Sequence, residues 1–184
     1  MPADLHCHTN RSDGSDSPEF VIRLAKQLGL SAVAITDHDY YAAQYDAENL
    51  GRSLGMRVIN GVECSTFDKA RGHKVHILCY NIKHYDAVSE LLRRVTKART
   101  DTVFAMLEKV SKLYPITEEM VMESVSESGF VGKQQIMFAL LKAGYASEMY
   151  GELYRELFSR SNGSWFWSVE QNNSPEAQGY LAPS

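Results

Sequence analysis

The sequence has no excess of positive charge, no long apolar run and only three cysteines. Lysine and arginine number 19 against 23 aspartates and glutamates, which gives a formal net charge of −4. This balance argues against a broad basic surface for gripping nucleic acid, but it does not exclude a small anionic ligand, because a bound metal can supply positive charge locally. The apolar runs are far shorter than a membrane span, and no charged segment followed by an apolar one opens the chain. From these two features we expect no membrane partner. Since the cysteines form no Cys-x-x-Cys pair, we also expect a protein of the reducing cytoplasm.

The 184 residues, 44% of them hydrophobic, suit a globular protein with a real core. Ser17, Pro18 and Gly29 have the characters of a helix N-cap, a first helical residue and a C-terminal stop. A second helix is predicted over residues 41–54. Strands that alternate with helices predict an α/β fold with a parallel sheet or barrel. The predicted strands cover residues 3–8, 32–37, 57–63 and 74–80.

The pattern changes after the fourth predicted strand. Residues 86–160 carry long helical patterns with little strand signal, and Thr117 is the predicted N-cap of one of these helices. Residues 161–184 are first aromatic and then polar, without a clear period, which predicts a loop and a poorly ordered tail. We therefore divide the chain into an α/β part at 1–85, a helical subdomain at 86–160 and a tail at 161–184.

Residues 4–15 read DLHCHTNRSDGS and contain two histidines one residue apart. In a strand, residues i and i+2 point to the same face, so His6 and His8 present two imidazoles side by side. This spacing suits a transition-metal ion bound through nitrogen, but alone it equally fits a chance pair on an exposed strand.

The other predicted strands favour the metal interpretation. The second strand runs into Thr36-Asp37-His38-Asp39, the third ends at Glu63, and the fourth carries His76 among apolar residues. In a parallel α/β sheet or barrel, side chains at the carboxyl ends of the strands converge on one site. Four consecutive strands that each deliver a histidine or a carboxylate therefore predict a shared cation site.

Four aspartates near these positions have less certain roles. Asp13 lies in an Asp-Gly turn, which is common without any function but here follows the histidine pair, so we expect it to be a ligand. Asp4 shares the face of the two histidines and suits either a direct bond or outer-shell support. Asp37 and Asp39 have the opposite parity to His38, and we expect them to orient or hydrogen-bond the ligands.

The cysteines have the wrong parity for this site. Cys7 lies between the two histidines, Cys64 follows Glu63, and Cys79 is three residues from His76, so all three are expected to face the covering helices as small core residues. No serine or cysteine nucleophile arrangement is evident. Two further histidines are interpreted as surface residues outside the site: His73 and His84.

With DLHCHTNRSDGS, ITDHD, GVECS and KVHILCY in this order, the sequence resembles the PHP (polymerase and histidinol phosphatase) family. More narrowly, it resembles the branch of stand-alone metal-dependent phosphoesterases that act on nucleotide and RNA-end phosphates. The resemblance implies a distorted seven-stranded β/α barrel, of which about four N-terminal parallel strands are present here, with a helical insertion. It also implies up to three divalent metal ions, which in the family are manganese, zinc, iron or magnesium.

The resemblance also implies a role for each ligand. His6, His8 and Glu63 would bind one ion, Glu63 would bridge to a second ion held by His76, and Asp13 and His38 would bind the third. The protein would then contribute no nucleophile of its own, because a hydroxide held by the metals would attack phosphorus.

The insertion departs from the family pattern. The branch usually carries Gly-Arg-Pro-His there, whereas this chain has Gly132-Lys133-Gln134-Gln135, so the phosphate-binding histidine is replaced. Lys133 offers a charge without the planar fork of arginine. A series of spaced basic residues in the insertion also matches the branch, and we expect Arg99 and Lys133 to bind the substrate phosphate. The series consists of Arg93, Arg94, Lys97 and Arg99.

The family continues with a strand that ends in His-Pro and with a late Asp-x-His, and we expect this chain to stop before both. On that expectation each metal lacks one protein ligand. The predicted function is hydrolysis of phosphate esters of a small molecule, such as a nucleotide or an oligonucleotide end. The first alternative is a truncated, non-catalytic metal-binding remnant. A weaker alternative, a C–N bond hydrolase, usually adds a metal-bridging lysine at a strand end, and none of the four strands ends in one.

Overall fold

The computed structural model describes residues 2–41, 47–68 and 70–158. Four strands form one sheet in the order β1-β2-β3-β4, and the first three pair in parallel. Helices follow β1 and β2 and precede the next strand, so the predicted α/β fold class is confirmed. The strands are β1 at Ala3–Cys7, β2 at Ala32–Ile35, β3 at Arg57–Asp68 and β4 at His73–Tyr80.

The helix between β1 and β2 is α1, at Pro18–Gln27, and it begins and ends as predicted. The side chain of Ser17 accepts a hydrogen bond from the first turn, and Pro18 occupies the first helical position, where its missing N–H costs nothing. Gly29 has a φ of 73°, a left-handed conformation that favours glycine after a helix. Ile22 is fully buried against β2 and β3 residues and anchors the helix to the sheet.

The helix between β2 and β3 is shorter than predicted within the described residues. It is α2, at Ala47–Ser53, whereas the sequence predicts a start at Tyr41. Tyr41 is not helical but buried, and its hydroxyl donates a hydrogen bond to the carbonyl of Ile82. Residues 42–46 lie outside the described part of the chain.

The fourth strand runs opposite to the prediction. β4 pairs with β3 in antiparallel register over Gly61–Asp68, while residues 57–60 of the same long strand pair in parallel with β2. Only four residues separate β3 from β4, and Gly72 has a φ of 67° in that turn. A parallel connection needs a crossover of about a dozen residues, so this short link allows only a hairpin. The expectation of four parallel strands is therefore corrected to three parallel strands and one antiparallel strand.

The remaining regular elements of the described chain are four helices, and Thr117 caps one of them through its side chain, as predicted. The chain divides into two compact units between Arg94 and Val95, within a long helix. The second unit has its own apolar core, which includes Val110, Ile136 and Leu140. The predicted tail at 161–184 lies outside the described residues. The helices are α3 at Tyr85–Val110, α4 at Glu118–Met122, α5 at Lys133–Lys142 and α6 at Glu152–Phe158.

Among the described residues, no helix combines the length and the apolar character needed to cross a bilayer.

Candidate metal centre

The histidine pair lies at an irregular point of β1. His6 Nε2 and His8 Nε2 are 3.0 Å apart, so the two rings meet on one side of the strand. Asp4 pairs with Val33 but Cys7 with Ile35, so three steps along β1 match only two along β2. A bulge of this kind bends a strand and redirects its side chains, and it lies where His6 leaves the backbone.

Glu63 of β3 joins the two histidines to a third. Its Oε2 atom lies 3.0 Å from His6 Nε2 and 2.8 Å from His8 Nε2, and its Oε1 atom lies 2.8 Å from His76 Nδ1. The Glu63 side chain is 7% exposed, whereas those of His6 and His76 are about half exposed. The carboxylate is therefore the buried floor of a site that opens to solvent between these two histidines.

The hairpin explains why His76 reaches Glu63. In the antiparallel register Glu63 lies opposite Leu78, and His76 lies opposite Ser65. Residues directly opposite each other share a face, so Glu63 and His76 are diagonal neighbours on the same face. The predicted proximity is thus found, but mid-strand in β4 and not at the carboxyl end of a parallel strand.

Asp13 reaches the site because the segment after β1 folds back over the strand. Its Oδ1 atom is 2.9 Å from His8 Nδ1, and its Oδ2 atom is 3.6 Å from His38 Nε2. Gly14 permits this approach, since a Cβ there would lie 2.9 Å from the carbonyl of His8. The Asp-Gly turn therefore places a carboxylate beside two imidazoles, as expected from its position in the sequence.

Asp37 holds this folded segment in place. Its carboxylate is fully buried and accepts hydrogen bonds from Thr9 N (2.7 Å), Thr9 Oγ1 (2.8 Å) and Ser12 Oγ (2.6 Å). Neither Thr9 nor Ser12 was among the predicted site residues. Their position in a loop after a strand could have indicated a hydrogen-bonding role, because serine and threonine often bond nearby polar groups in such loops.

Asp39 makes the matching connection to β3. It accepts hydrogen bonds from Ser65 N and Ser65 Oγ, both at 2.8 Å, and its own N–H donates to the carbonyl of Glu63 at 3.0 Å. Its φ is 51°, an uncommon conformation that aspartate tolerates better than most residues. Since Asp37 and Asp39 are anchored to different segments, the backbone of His38 between them is fixed from both sides.

Asp4 also contacts the backbone. Its Oδ1 atom accepts a hydrogen bond from the N–H of His6 at 3.1 Å. Of the two roles left open by the sequence, the structure shows this supporting contact.

The histidines and carboxylates shift one another's pKa. Burial raises the pKa of the Asp13 carboxyl, but the hydrogen bond from His8 and the charge of His38 outweigh it and lower the pKa to about 2. Burial likewise raises the pKa of Glu63, and the surrounding histidines bring it below its ordinary value. Burial lowers the pKa of His8, but the hydrogen bond to Asp13 and the charges of Asp13 and Glu63 have the larger, opposite effect. The pKa of His8 is therefore above its ordinary value. Both carboxylates are therefore ionised at neutral pH, the form that binds cations.

The cysteines lie away from these groups. Cys64 and Cys79 have sulfur atoms 4.0 Å apart in an apolar cluster, and Cys7 packs against the core beneath α1. Burial, followed by the influence of Asp4, raises the pKa of Cys7 to about 12, and burial and Cys79 raise that of Cys64 to about 12. Neutral thiols are poor metal ligands, so the prediction of core cysteines agrees with their position.

Six side chains that the sequence predicts as ligands come together in three overlapping groups. Within each group the donor atoms lie within 4.8 Å of one another. Two ligands about 2.1 Å from an ion and at right angles are roughly 3.0 Å apart, which matches the separations among His6, His8 and Glu63. The donor set therefore fits a divalent cation. Among the described residues, His73 and His84 are in none of the groups, which are His6-His8-Glu63, His8-Asp13-His38 and His38-Glu63-His76.

The predicted phosphate-binding residues belong to the second compact unit. The Arg99 guanidinium lies 4.9 Å from the centre of the Phe130 ring, and Lys133 Nζ lies 5.7 Å from that of Phe158. Gln135, which replaces the family histidine, is buried, and its Oε1 atom accepts a hydrogen bond from Gly132 N at 2.7 Å. The Gln135 side chain therefore caps the N-terminus of α5, which is a structural role.

An α/β sheet that brings four histidines and two carboxylates together is typical of a metal-binding α/β protein. The chain belongs to the PHP domain family, whose profile matches residues 4–160.

Two curated relatives each match about half of the chain. The phosphoribosyl 1,2-cyclic phosphate 1,2-diphosphodiesterase of Eggerthella lenta is 47% identical over 78 residues, which cover 42% of this chain and 30% of the relative. The 5'-3' exoribonuclease Rnm of Escherichia coli is 39% identical over 99 residues, which cover 52% of this chain and 33% of the relative. The matches thus span about a third of each relative's length.

Two solved structures share the fold. A proposed metal-dependent phosphoesterase from Bifidobacterium adolescentis superimposes with a TM-score of 0.78 at 28% identity and covers 91% of this chain and 58% of its own. An amidohydrolase from Chromobacterium violaceum, solved with bound sulfate and no metal, has a TM-score of 0.69 at 24% identity over 81% of this chain and 52% of its own. The second likeness concerns the fold alone.

Proposed function

We propose that this chain hydrolyses phosphate esters with the help of divalent metal ions. The observation that carries the proposal is the position of Glu63, whose two carboxylate oxygens face three imidazole nitrogens at 2.8–3.0 Å. A second carboxylate, Asp13, faces two imidazoles on the other side of His8. The proposed ligands are His6, His8, Asp13, His38, Glu63 and His76.

Bound divalent ions would neutralise charge on the phosphate oxygens and lower the pKa of a water molecule towards neutrality. The residues of the chain supply the geometry for this chemistry. Glu63 belongs to two of the three donor groups, and the lowered pKa of Asp13 keeps its carboxylate charged. Asp4, Asp37 and Asp39 orient the ligands through their hydrogen bonds to the backbone and to neighbouring hydroxyls.

We further propose that the substrate is a nucleotide or the end of an RNA or DNA strand. The names of the relatives support this class, since one is a cyclic phosphate diphosphodiesterase and another is an exoribonuclease. Arg99 and Lys133 are the proposed contacts to the substrate phosphate, within a helical insertion at 86–160 that follows a barrel part at 1–85. The three free cysteines support a reducing cytoplasm. A donor set of imidazoles and carboxylates favours manganese, zinc or iron over magnesium.

The test is hydrolysis by the metal-stripped 184-residue protein after addition of manganese, zinc, iron or magnesium, followed as released phosphate and, for RNA and cyclic phosphate, as the shortened or ring-opened product. The substrates are an aryl phosphate, a nucleoside 3',5'-bisphosphate, a 5'-phosphorylated RNA oligomer and a phosphoribosyl cyclic phosphate. The double variant His6→Ala/His8→Ala removes two proposed ligands at the open side of the site. His73→Ala/His84→Ala is the matched control, because it removes two histidines outside the described ligand groups.

We expect metal-dependent turnover that the first double variant abolishes and the control retains. Turnover that is indifferent to the loss of His6 and His8 contradicts the proposal. Tight binding of metal without turnover on any substrate would instead support a non-catalytic metal-binding module.

A further inference from the structure

A contact between the first and last strands of the sheet bears on the metal centre. The hydroxyl of Tyr80, the last residue of β4, donates a hydrogen bond of 2.5 Å to the backbone carbonyl of Leu5 in β1. Since β2 and β3 lie between these strands, in a flat sheet they would be about 14 Å apart. A tyrosine side chain is too short for that distance. The bond therefore depends on a curled sheet in which β1 and β4 approach each other.

Gly61 leaves the space that the Tyr80 ring needs. The two residues are directly opposite in the β3–β4 register, so they share a face with Glu63 and His76. A Cβ at position 61 would lie 3.0 Å from the Tyr80 ring and 2.9 Å from the methyl group of Thr36. Such contacts are too close, so a larger residue would displace the ring from its path towards β1.

Leu5 lies in the bulge of β1, where the regular pairing with β2 is interrupted. The peptide group between Leu5 and His6 is instead held by side chains at both ends. Its carbonyl accepts the hydrogen bond from Tyr80, and its N–H donates to Asp4 Oδ1 at 3.1 Å. The Cα atom of His6 is bonded to the nitrogen of this peptide, so the orientation of the peptide affects the direction in which the imidazole points.

We propose that Tyr80 is a positioning residue for the metal centre, acting through the Leu5 carbonyl to fix His6 against Glu63. The inference rests on the proposed function, because it assigns His6 as a metal ligand. Without the Tyr80 hydroxyl, the Leu5–His6 peptide loses one of its two side-chain anchors, and the 3.0 Å separation of His6 Nε2 and Glu63 Oε2 is no longer maintained. Outer partners that orient metal ligands typically change metal affinity by 10- to 100-fold.

The experiment is titration of metal-stripped Tyr80→Phe with manganese by isothermal calorimetry, beside the wild-type chain. The substitution keeps the ring over Gly61 and removes only the hydroxyl. We expect one ion to bind about tenfold more weakly, the ion of the His6-His8-Glu63 group, with the others unchanged. The Tm of the metal-free variant should stay within a few degrees of the wild type, because only one hydrogen bond of a partly exposed side chain is lost. Tyr145→Phe, an exposed tyrosine of the second unit, is the matched control and should bind manganese as the wild type does.

A second variant protects the test against general loosening of the fold. Asp4→Ala removes the other anchor of the same peptide, so it must weaken the same ion. Wild-type affinity in either Tyr80→Phe or Asp4→Ala overturns the proposal, as does equal weakening of every ion. If the wild-type chain itself binds no manganese, zinc or iron, the metal centre is refuted and this inference falls with it, an outcome distinct from failure of the variants alone.

Discussion

Two neighbouring residues of β3 have opposite surroundings. Glu63 faces three imidazole nitrogens within 3.0 Å, on what we call the site face of β3 (Gly61, Glu63 and Ser65). Cys64 faces the sulfur of Cys79 in an apolar cluster, on what we call the core face of β3 (Val62 and Cys64). Both residues are nearly fully buried. The alternation of the strand, and not the distance along the sequence, therefore decides which side chain can take part in metal chemistry.

The two faces also shift acids in opposite directions. Burial raises the pKa of Glu63 and of Cys64 alike. For Glu63 the hydrogen bond from His6 and the charges of nearby histidines reverse this effect, whereas for Cys64 the neighbouring thiol adds to it. One face thus holds an ionised carboxylate and the other a neutral thiol, one residue apart.

The largest effect is expected from removing the charge on the site face. Glu63→Gln keeps the size of the side chain but lacks the carboxylate that two of the three donor groups share. We expect the variant to lose the ions of both groups and to lower the proposed phosphate-ester hydrolysis by more than about 100-fold, since loss of an outer partner alone can cost that much. Metal content after dialysis against manganese, measured by mass spectrometry, checks this prediction. Wild-type metal content would show that Glu63 is not the shared ligand.

A smaller effect is expected from Asp39, which follows β2 and bonds Ser65 on the site face. Asp39→Asn tolerates the φ of 51° but replaces one of the two acceptors of the Ser65 hydrogen bonds. We expect a loss of about 2 kcal/mol in the free energy of unfolding, because hydrogen bonds to a charged acceptor are strong when buried. Urea denaturation of the metal-free protein measures it. Glu19→Gln, at an exposed position of α1, serves as the control and should cost no more than about 0.5 kcal/mol, because its ion pair with Arg23 is exposed.

Local sequence signals were sufficient for α1 and for the parity of the site. The Ser17 cap, the proline after it and Gly29 lie next to one another in the chain and act over one or two turns. The core position of the cysteines follows from a period of two, which holds in any strand. For the same reason, the pattern could not reveal the direction of β4, because parallel and antiparallel strands share this period.

Contacts between distant segments could not be predicted from the sequence. The bonds of Asp37 to Thr9 and Ser12 join residues 25 or 28 positions apart, and the Tyr80–Leu5 bond joins residues 75 apart. Such pairs depend on the curl of the sheet and on a bulge, neither of which has a marker in a single sequence. The capping role of Gln135 was also missed, because comparison with the family pattern identified only the histidine that it replaces.

Lowering the pH should destabilise the folded protein through the carboxylate of Asp13, which lies beside the site face. The pKa of Asp13 in the folded protein is about 2, below its ordinary value of 3.8, so its contribution is complete above pH 4 and is lost as the pH falls towards 2. We expect Asp13→Asn to reduce the loss of stability over this window by about 1–2 kcal/mol in the metal-free protein. Urea unfolding at pH 4, 3 and 2.5 measures the slope. An unchanged slope in Asp13→Asn would contradict the assignment.

The smallest effect is expected on the core face. Cys64→Ala removes a buried sulfur atom and should cost about 1 kcal/mol of the free energy of unfolding, the cost of a small cavity. Because the thiol points away from the donor groups and is neutral, its pKa being about 12, the variant should bind the same number of manganese ions with wild-type affinity. Calorimetric titration beside Glu63→Gln makes this a matched pair one residue apart. If Cys64→Ala lost an ion, the two faces would not be chemically separate, and the alternation of β3 would no longer explain why one of these neighbours is a ligand and the other is not.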